Sequence, residues 1–313
     1  MNALIEAHFQ AAIAGAGLQP PDTVHADGVI HRYSPTGKRG DQSAWYVLHA
    51  DGIAAGVFGC WRAGLTSTWC SRSLDSLTQA ERNVYRQRVK SMQAQREKEQ
   101  HEQWLKNAER NARLWSAAAP AGDAVRAYLV ARGLGGWSVP SLIREHPSLA
   151  YWGADDDGVL QELGRYPAML APIVSGGRLV AIHRTYLLDG KKAPVPTPKK
   201  LTAASGTLSG ACIPLAAPRG GVLGIAEGIE TAIAASLGSG VPVVAAYCAN
   251  ALAAFHFPAG IEHLTVFADN DSAGQQAAAA LAQRAEQAGL TSKILTPSTP
   301  GSDWADVWQK GQP

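Results

Sequence analysis

Acidic residues follow two short apolar runs in the C-terminal part of the chain. Glu227 comes directly after Val222–Ala226, and Asp269 and Asp271 come just after Leu264–Ala268. Apolar runs of this length are typical of buried strands, and ligands collect where the carboxyl ends of parallel strands meet. Clustered carboxylate oxygens are also the ligands that Mg²⁺ requires. The pattern therefore predicts a divalent-cation site at that edge of a sheet.

The same acids could instead cap the helices that follow the strands. Asp271 or Glu230 could do only this, because a side-chain oxygen at a helix start accepts bonds from free backbone N–H groups. Against this alternative, Glu227 and the Asp269/Asp271 pair end two different strands of one predicted sheet. Carboxylates held together raise one another's pKa unless a cation lies between them. A metal site explains them better than capping alone.

Lysines occur as two pairs in the preceding stretch. Lys191-Lys192 and Lys199-Lys200 lie among prolines and glycines, which exclude a regular helix. These cations are therefore expected on a loop or a sheet edge. A basic extended segment beside a carboxylate site suits the phosphates of nucleotides or nucleic acid, although a lysine-rich loop is often only soluble surface.

The acids must be positioned by the elements of residues 219–313, where apolar runs alternate with Ala-rich segments. This alternation predicts an α/β fold, a compact parallel sheet with helices on both faces. The predicted strands are Val222–Ala226, Val241–Ala246, Leu264–Ala268 and Lys293–Leu295, and the predicted helices are Ile229–Leu237, Ala249–Phe255 and Ala273–Ala288. Asp303 and Asp306 add two more carboxylates after the last strand.

Composition divides the rest of the chain into three further parts. We expect a small α+β module at 1–75, a long charged linker helix at 76–118, and an α+β subdomain at 119–218 with a hairpin of Ala171–Val174 and Arg178–Thr185. The helix is expected because residues 76–116 contain no Gly or Pro.

Cations and aromatic residues are interleaved in the N-terminal module. Such a mixture suits single-stranded nucleic acid, since bases stack on aromatics while cations meet phosphates. A small core that uses Trp as filler is an equal alternative. The residues concerned are Arg32, Lys38, Arg39, Arg62, Arg72, Tyr33, Trp45, Trp61 and Trp69.

The overall composition limits the class of protein. A net charge of +2 means that any affinity for nucleic acid must come from local patches. The four cysteines form no C-x-x-C pair, so we expect no zinc ribbon, no disulfide framework and a reducing cytoplasm. No apolar run has the length of a membrane span, and no phosphate-binding P-loop indicates a built-in helicase motor.

The acidic segments resemble the Toprim signature, which DnaG-type primases, topoisomerases and some nucleases share. Glu227-Gly228 follows a hydrophobic strand, and Asp269-Asn270-Asp271 is followed by Gly274. The resemblance is closer to primases of plasmids, phages and integrated mobile elements. It extends over about 123–308 and includes the segments AEGIETAIAAS, FADNDSAGQQAA, VAIHRTYLLDGKKA and SGTLSGACIPL.

The resemblance implies roles for individual residues. Glu227 is expected in general acid/base work or metal binding, and Asp269 and Asp271 are expected to hold catalytic Mg²⁺ or Mn²⁺. Asp303 and Asp306 would complete the metal site, whereas Glu230 stands where DnaG-type enzymes commonly carry Asp. The residues expected to face template or nucleotide phosphates are Arg184, Lys191, Lys192, Lys199 and Lys200.

Three positions depart from the DnaG-type pattern. The N-terminal zinc ribbon is missing, Pro214 precedes Leu215 where many relatives have Arg, and Ala305 replaces a common Asn. None of these changes removes the core carboxylates. A non-catalytic accessory protein that binds single-stranded DNA therefore stays open, as does a Toprim-type metal-dependent nuclease. A topoisomerase would need a nucleophilic Tyr on an added domain.

The activity that the resemblance implies is DNA primase activity, the metal-dependent synthesis of short RNA primers on single-stranded DNA. The implied partners are a DNA template, ribonucleoside triphosphates and a separate replicative helicase, with no membrane and no zinc. The implied setting is replication or transfer of a plasmid, phage or mobile genetic element.

Overall fold

The computed structural model describes residues 2–37, 41–60, 63, 65–72, 77–154 and 159–311. Contacts within the chain define two compact units, Met1–Glu102 and Gln103–Pro313. Among the residues described, none of the helices combines the length and the apolar character that a membrane crossing requires.

The first unit contains a four-stranded antiparallel meander in chain order, as the sequence predicts. Helix α1 packs on this sheet through Phe9, whose ring makes edge contacts with Tyr46 and Phe58. Its elements are α1 (Asn2–Gly15), β1 (His31–Tyr33), β2 (Ala44–His49), β3 (Ala55–Cys60), β4 (Leu65–Cys70) and the first part of α2 (Gln79–Ser116).

Aromatic residues of this module are part of its core. Trp45 is 1% exposed and packs with Met92 of α2, and Trp69 lies 5.4 Å from the ring of Phe9. Arg72 forms an ion pair with Glu81 at 2.7 Å. These contacts support the small-core interpretation of the module. Of the residues singled out from the sequence, Lys38, Arg39, Trp61 and Arg62 lie outside the described residues.

The second unit begins with an antiparallel sheet of order β10-β8-β7-β6-β5, in which β9 also pairs with β8. The hairpin expected from the sequence is present but longer, and β6 was not predicted. The elements are β5 (Ala119–Pro120), α3 (Asp123–Ala131), β6 (Arg144–Ala154), β7 (Leu160–Ser175), β8 (Arg178–Leu188), β9 (Lys191–Lys192) and β10 (Lys199–Leu201).

A parallel sheet of order β12-β11-β13-β14 follows, which confirms the predicted α/β fold. Helices α4 and α7 cover one face and α5 and α6 the other, because successive strand residues point to opposite sides. The elements are β11 (Val222–Ala226), α4 (Ile229–Ser239), β12 (Val243–Ala245), α5 (Ala249–Ala254), β13 (His263–Phe267), α6 (Ser272–Gln287), β14 (Thr291–Leu295) and α7 (Trp304–Gly311).

A short extended segment joins the two sheets. The Val174 N–H donates to the Cys212 carbonyl at 2.8 Å, and the next residue, Ile213, donates to the Ala245 carbonyl at 2.7 Å. One side of this segment thus bonds the antiparallel sheet and the other bonds β12. This connection places one face of β8 and β10 beside the carboxyl ends of β11 and β13.

Candidate active site

Glu227 leaves the sheet at the end of β11. The strand is almost entirely buried, and Gly228 lets the chain turn directly into α4 as its N-cap residue. The Glu227 carbonyl accepts a bond of 2.7 Å from the Tyr247 N–H, which fixes the backbone at this point. Burial raises the pKa of Glu227, and the charge of Asp271 adds to the rise.

Asp269 follows β13 and carries an unsatisfied buried oxygen. Its Oδ1 is shielded from solvent and has no hydrogen-bond partner. Burial raises the pKa of Asp269 to about 7, with Glu227 and Asp303 as the next causes. Gly274 permits this geometry, because a Cβ there would lie 2.8 Å from the Asp269 carbonyl oxygen. The carboxyl group is therefore held in a site that disfavours its charge unless a cation is present.

The remaining predicted acids also serve helix starts. Asp271 is the N-cap of α6, exposed, and its Oδ1 accepts a 2.7 Å bond from the Gly274 N–H. Asp303 accepts a bond of 2.8 Å from the Asp306 N–H and donates its own N–H to Asp306 Oδ2 at 3.3 Å. Asp271 thus fulfils the capping alternative, while Asp303 also faces the site.

Two lysines from the antiparallel sheet face these acids. Lys199 Nζ donates to Glu230 Oε2 at 2.8 Å, and Lys192 Nζ lies 3.9 Å from Glu230 Oε1. The Tyr128 hydroxyl donates to Oε1 at 2.5 Å. Burial alone would raise the pKa of Glu230, but Lys199 and Lys192 outweigh it and lower the pKa to about 2. Glu230 is thus a buried anion that holds two cations in place.

The other predicted cations lie elsewhere. Arg184 pairs in register with Lys200, while Lys199 pairs with Thr185, so alternation places Arg184 and Lys200 on the opposite face of the sheet. Lys200 donates to the Trp152 carbonyl and lies over the ring of Tyr151. The expected basic strip is therefore divided between two faces. Lys191 is exposed at the start of β9.

Acids and cations meet in one cavity of about 210 Å³. Of the residues predicted from the sequence, the cavity brings together Lys192, Lys199, Glu227, Gly228, Glu230, Asp269 and Asp303. It does not include Arg184, Lys191, Lys200, Asp271, Gly274 or Asp306. Within the described ranges there is no group of three or more His, Cys, Asp or Glu side chains that could hold a metal ion as placed.

Sequence reasoning missed four residues that line the cavity, namely Arg132, His183, Thr231 and Tyr247. His183 is 7% exposed, and its Nδ1 is buried without a hydrogen-bond partner. Burial lowers the pKa of His183 to about 4, and the charge of Lys199 lowers the pKa further. The available signal was strand periodicity, which places His183 on the same face as Thr185. Tyr247 has a left-handed backbone at φ 68°, which no sequence pattern indicated.

Comparison with family models identifies two regions of the chain. Residues 222–313 match a Toprim domain, and residues 105–213 match a domain of unknown function, DUF7146. No curated protein matches the chain.

The chain is also similar to solved primase structures, at low identity. A DNA primase domain from Pseudomonas aeruginosa is 17% identical over 62% of this chain and 61% of that chain, with a TM-score of 0.35. The RNA polymerase domain of Mycobacterium tuberculosis primase DnaG is 18% identical over 67% and 80%, with a TM-score of 0.38. The Aquifex aeolicus primase, with zinc-binding and RNA polymerase domains, is 13% identical over 99% and 82%, with a TM-score of 0.43.

This chain thus spans less than two thirds of the Pseudomonas chain. The expectation of a Toprim domain from the acidic motifs is confirmed over the residues that carry them, and residues 222–313 of this protein are a Toprim domain.

Proposed function

We propose that the protein is a DNA primase that makes short RNA primers on single-stranded DNA by metal-dependent nucleotidyl transfer. The observation that carries the proposal is the single cavity in which Toprim carboxylates face lysines of the preceding sheet. Carboxylates suit a divalent cation, and lysines suit phosphates, so the two together suit a metal-bound triphosphate. The volume of about 210 Å³ is below the usual range of ligand pockets, which favours the phosphate end of a nucleotide rather than the whole molecule.

The donor set fits a divalent cation in its chemistry. Asp269 has a buried oxygen without a partner, and its pKa is raised by burial and by Glu227 and Asp303. Glu227, Asp269 and Asp303 would hold Mg²⁺ or Mn²⁺, with Asp271 and Asp306 beside them. Since no three ligands are placed for a metal as they stand in the described ranges, cation binding requires these side chains to move. When bound, the metal would stabilise negative charge on the reacting oxygens.

The other residues of the cavity have distinct tasks in this proposal. Lys199 and Lys192 neutralise nucleotide phosphates, and Glu230 fixes both lysines through its buried carboxylate. Glu227, whose pKa is raised by burial, is placed to accept a proton from an attacking hydroxyl. His183 stays neutral near pH 7 because its pKa is about 4, so its free Nδ1 offers a hydrogen bond without adding charge.

The experiment is an incubation of purified protein with Mg²⁺ or Mn²⁺, ribonucleoside triphosphates and single-stranded DNA. We expect short oligoribonucleotides, and we expect Asp269→Ala to abolish them. The matched control is Glu262→Ala, which removes an exposed acid just before the opposite end of β13. Unchanged synthesis by Asp269→Ala would contradict the proposal, and DNA cleavage without nucleotides would assign a Toprim nuclease instead.

A second candidate is a non-catalytic accessory protein that binds single-stranded DNA. It is favoured by the lack, within the described ranges, of a group of three ligands ready for a metal. DNA binding without product at every metal concentration would support this candidate.

We extend the proposal to the cellular setting. The sequence contains no P-loop, so a primase of this kind would act in the cytoplasm beside a separate replicative helicase. Replication or transfer of a plasmid, phage or mobile element is the setting that its motifs resemble.

A further inference from the structure

The antiparallel sheet has a second polar pocket on the face away from the acidic cavity. Arg184 alternates with His183 along β8, so it projects to the opposite side. There it lines a cavity of about 230 Å³ together with Arg110, Asn111 and Thr202. None of these residues lines the acidic cavity.

Side-chain bonds between α2 and the segment after β10 hold the pocket open. Asn107 Nδ2 donates to the Ala204 carbonyl at 2.7 Å, and Asn111 Nδ2 donates to the Ala203 carbonyl at 3.1 Å. Asn107 and Asn111 are 5% and 3% exposed and stand one turn apart on one face of the helix. The pocket is therefore preformed by buried contacts.

The charge of the pocket is positive. Two guanidinium groups line it, and no carboxylate does among the residues that the structure describes. Glu109, the one acid in the stretch 103–116 of α2, lies 3.7 Å from Arg113 as an ion pair. Lys106 and Arg113 add further cations to that stretch. Such a pocket favours an anion.

Arg184 is held for binding and is incompletely satisfied. One terminal nitrogen donates to the Leu201 carbonyl at 2.7 Å and the other to the Tyr186 hydroxyl at 3.4 Å. Its Nε is buried and has no hydrogen-bond partner. A buried donor without an acceptor is costly, and a guanidinium fork matches the oxygens of a phosphate.

We propose that Arg184 and Arg110 bind a phosphate group in this pocket, as a second anion site separate from the acidic cavity. The phosphate belongs either to the backbone of single-stranded nucleic acid or to a free nucleotide, since both present the same oxygens. The site does not rest on the proposed primase activity, because it requires only a phosphate-bearing ligand.

The test measures binding with the full-length chain in EDTA, which leaves the acidic cavity without a divalent cation. A labelled 12-nucleotide DNA strand is followed by anisotropy over a range of salt concentrations, and ATP is titrated by calorimetry. We expect Arg110→Gln to weaken DNA binding and to lower the salt slope by about 0.7, the value for one phosphate contact on a single strand. Arg184→Gln should do the same.

The matched control is Arg86→Gln, an exposed arginine of the same helix that does not line the pocket. Arg110 is exposed, so its variant tests the site even if Arg184→Gln lowers the Tm. A loss confined to DNA assigns the nucleic-acid backbone, and a loss confined to ATP assigns a free nucleotide. Unchanged binding of both probes in Arg110→Gln, or an equal loss in Arg86→Gln, overturns the proposal.

Discussion

Lys199 on β10 donates a hydrogen bond of 2.8 Å to Glu230 on α4, and this bond connects the antiparallel sheet to the Toprim domain. The Glu230 side chain is 5% exposed and the Lys199 side chain is 36% exposed. The carboxylate is thus enclosed while the ammonium group reaches the cavity. An acid that the sequence marks as secondary therefore has a structural task, to position the cation that faces the catalytic acids.

Replacing Glu230 by Gln should destabilise the fold. The change leaves Lys199, Lys192 and the Tyr128 hydroxyl without their anionic partner, and we expect the free energy of unfolding to fall by about 2 kcal/mol. The loss stays below the roughly 3–5 kcal/mol of a fully buried pair because Lys199 keeps part of its hydration. Denaturant unfolding measures it, and Glu109→Gln, in an exposed pair, should change stability by less than about 0.5 kcal/mol.

The same pair makes stability depend on pH. The pKa of Glu230 in the folded protein is about 2, below its ordinary value of 4.5. The carboxylate therefore contributes its full stabilisation above pH 4.5, and this contribution is lost as the pH falls toward 2. We expect the difference between wild type and Glu230→Gln to shrink over that window. A constant difference from pH 6 to pH 3 would contradict the assignment.

Asp269 should have the opposite dependence. Its pKa is raised from 3.8 to about 7, so the folded state binds the proton more tightly than the unfolded state. Stability is then lost as the pH rises from about 4 to 7, and the penalty stays constant above that range. Asp269→Asn removes the penalty, so this variant should have a higher Tm than wild type at pH 8 and a similar Tm at pH 4.

Addition of Mg²⁺ separates charge repulsion from other causes. A cation that binds the folded state raises the Tm of wild type at pH 8, and it should do so much less in Asp269→Asn. Glu262→Gln serves as the control, since this acid is exposed and outside the cavity. An equal Mg²⁺ response in wild type and Asp269→Asn would argue against Asp269 as a metal ligand.

Much of the Toprim domain was predictable because its local signals agree. β11 has the predicted bounds, and β13 is displaced by one residue, since a buried apolar run ends in an acid and a small residue in both cases. Helix α7 was missed because only the carboxylates of this segment were considered. Its start carries a capping signal, the reciprocal bonds of Asp303 and Asp306, which the spacing of three residues could have indicated.

The basic side of the site was less predictable. A pair of adjacent lysines carries no information about direction until its strand is known, and strand β10 sends Lys199 and Lys200 to opposite faces. Strand β7 was predicted too short because its first half is largely exposed and includes Gly164 and Pro167, which weaken a strand pattern. His183 gave no ligand spacing, and its role in the cavity depends on tertiary burial.

This alternation leads to a contrast between adjacent lysines. Lys199→Gln removes a cation from the acidic cavity, so we expect a higher KM for ribonucleotides in the primer-synthesis assay. Lys200→Gln should change the nucleotide KM less, since Lys200 faces Tyr151 on the other side of the sheet. Steady-state kinetics at a fixed template concentration measures the contrast. Equal increases of KM in the two variants would show that both faces contact the nucleotide.

Trp308 on α7 provides a second connection between the Toprim domain and the preceding subdomain. Its Nε1 donates to the Gly133 carbonyl, just after α3, at 2.8 Å. Trp308→Phe keeps an aromatic ring in place but removes the donor, and we expect it to lower the free energy of unfolding by about 1 kcal/mol. Trp304→Phe is the comparison, because the Trp304 Nε1 bonds to Leu295 within the Toprim domain at 3.2 Å. Both variants should lose stability, but only Trp308→Phe should also expose the turn after α3 to limited proteolysis. The same digestion pattern in the two variants would contradict a specific role of Trp308 in joining the domains.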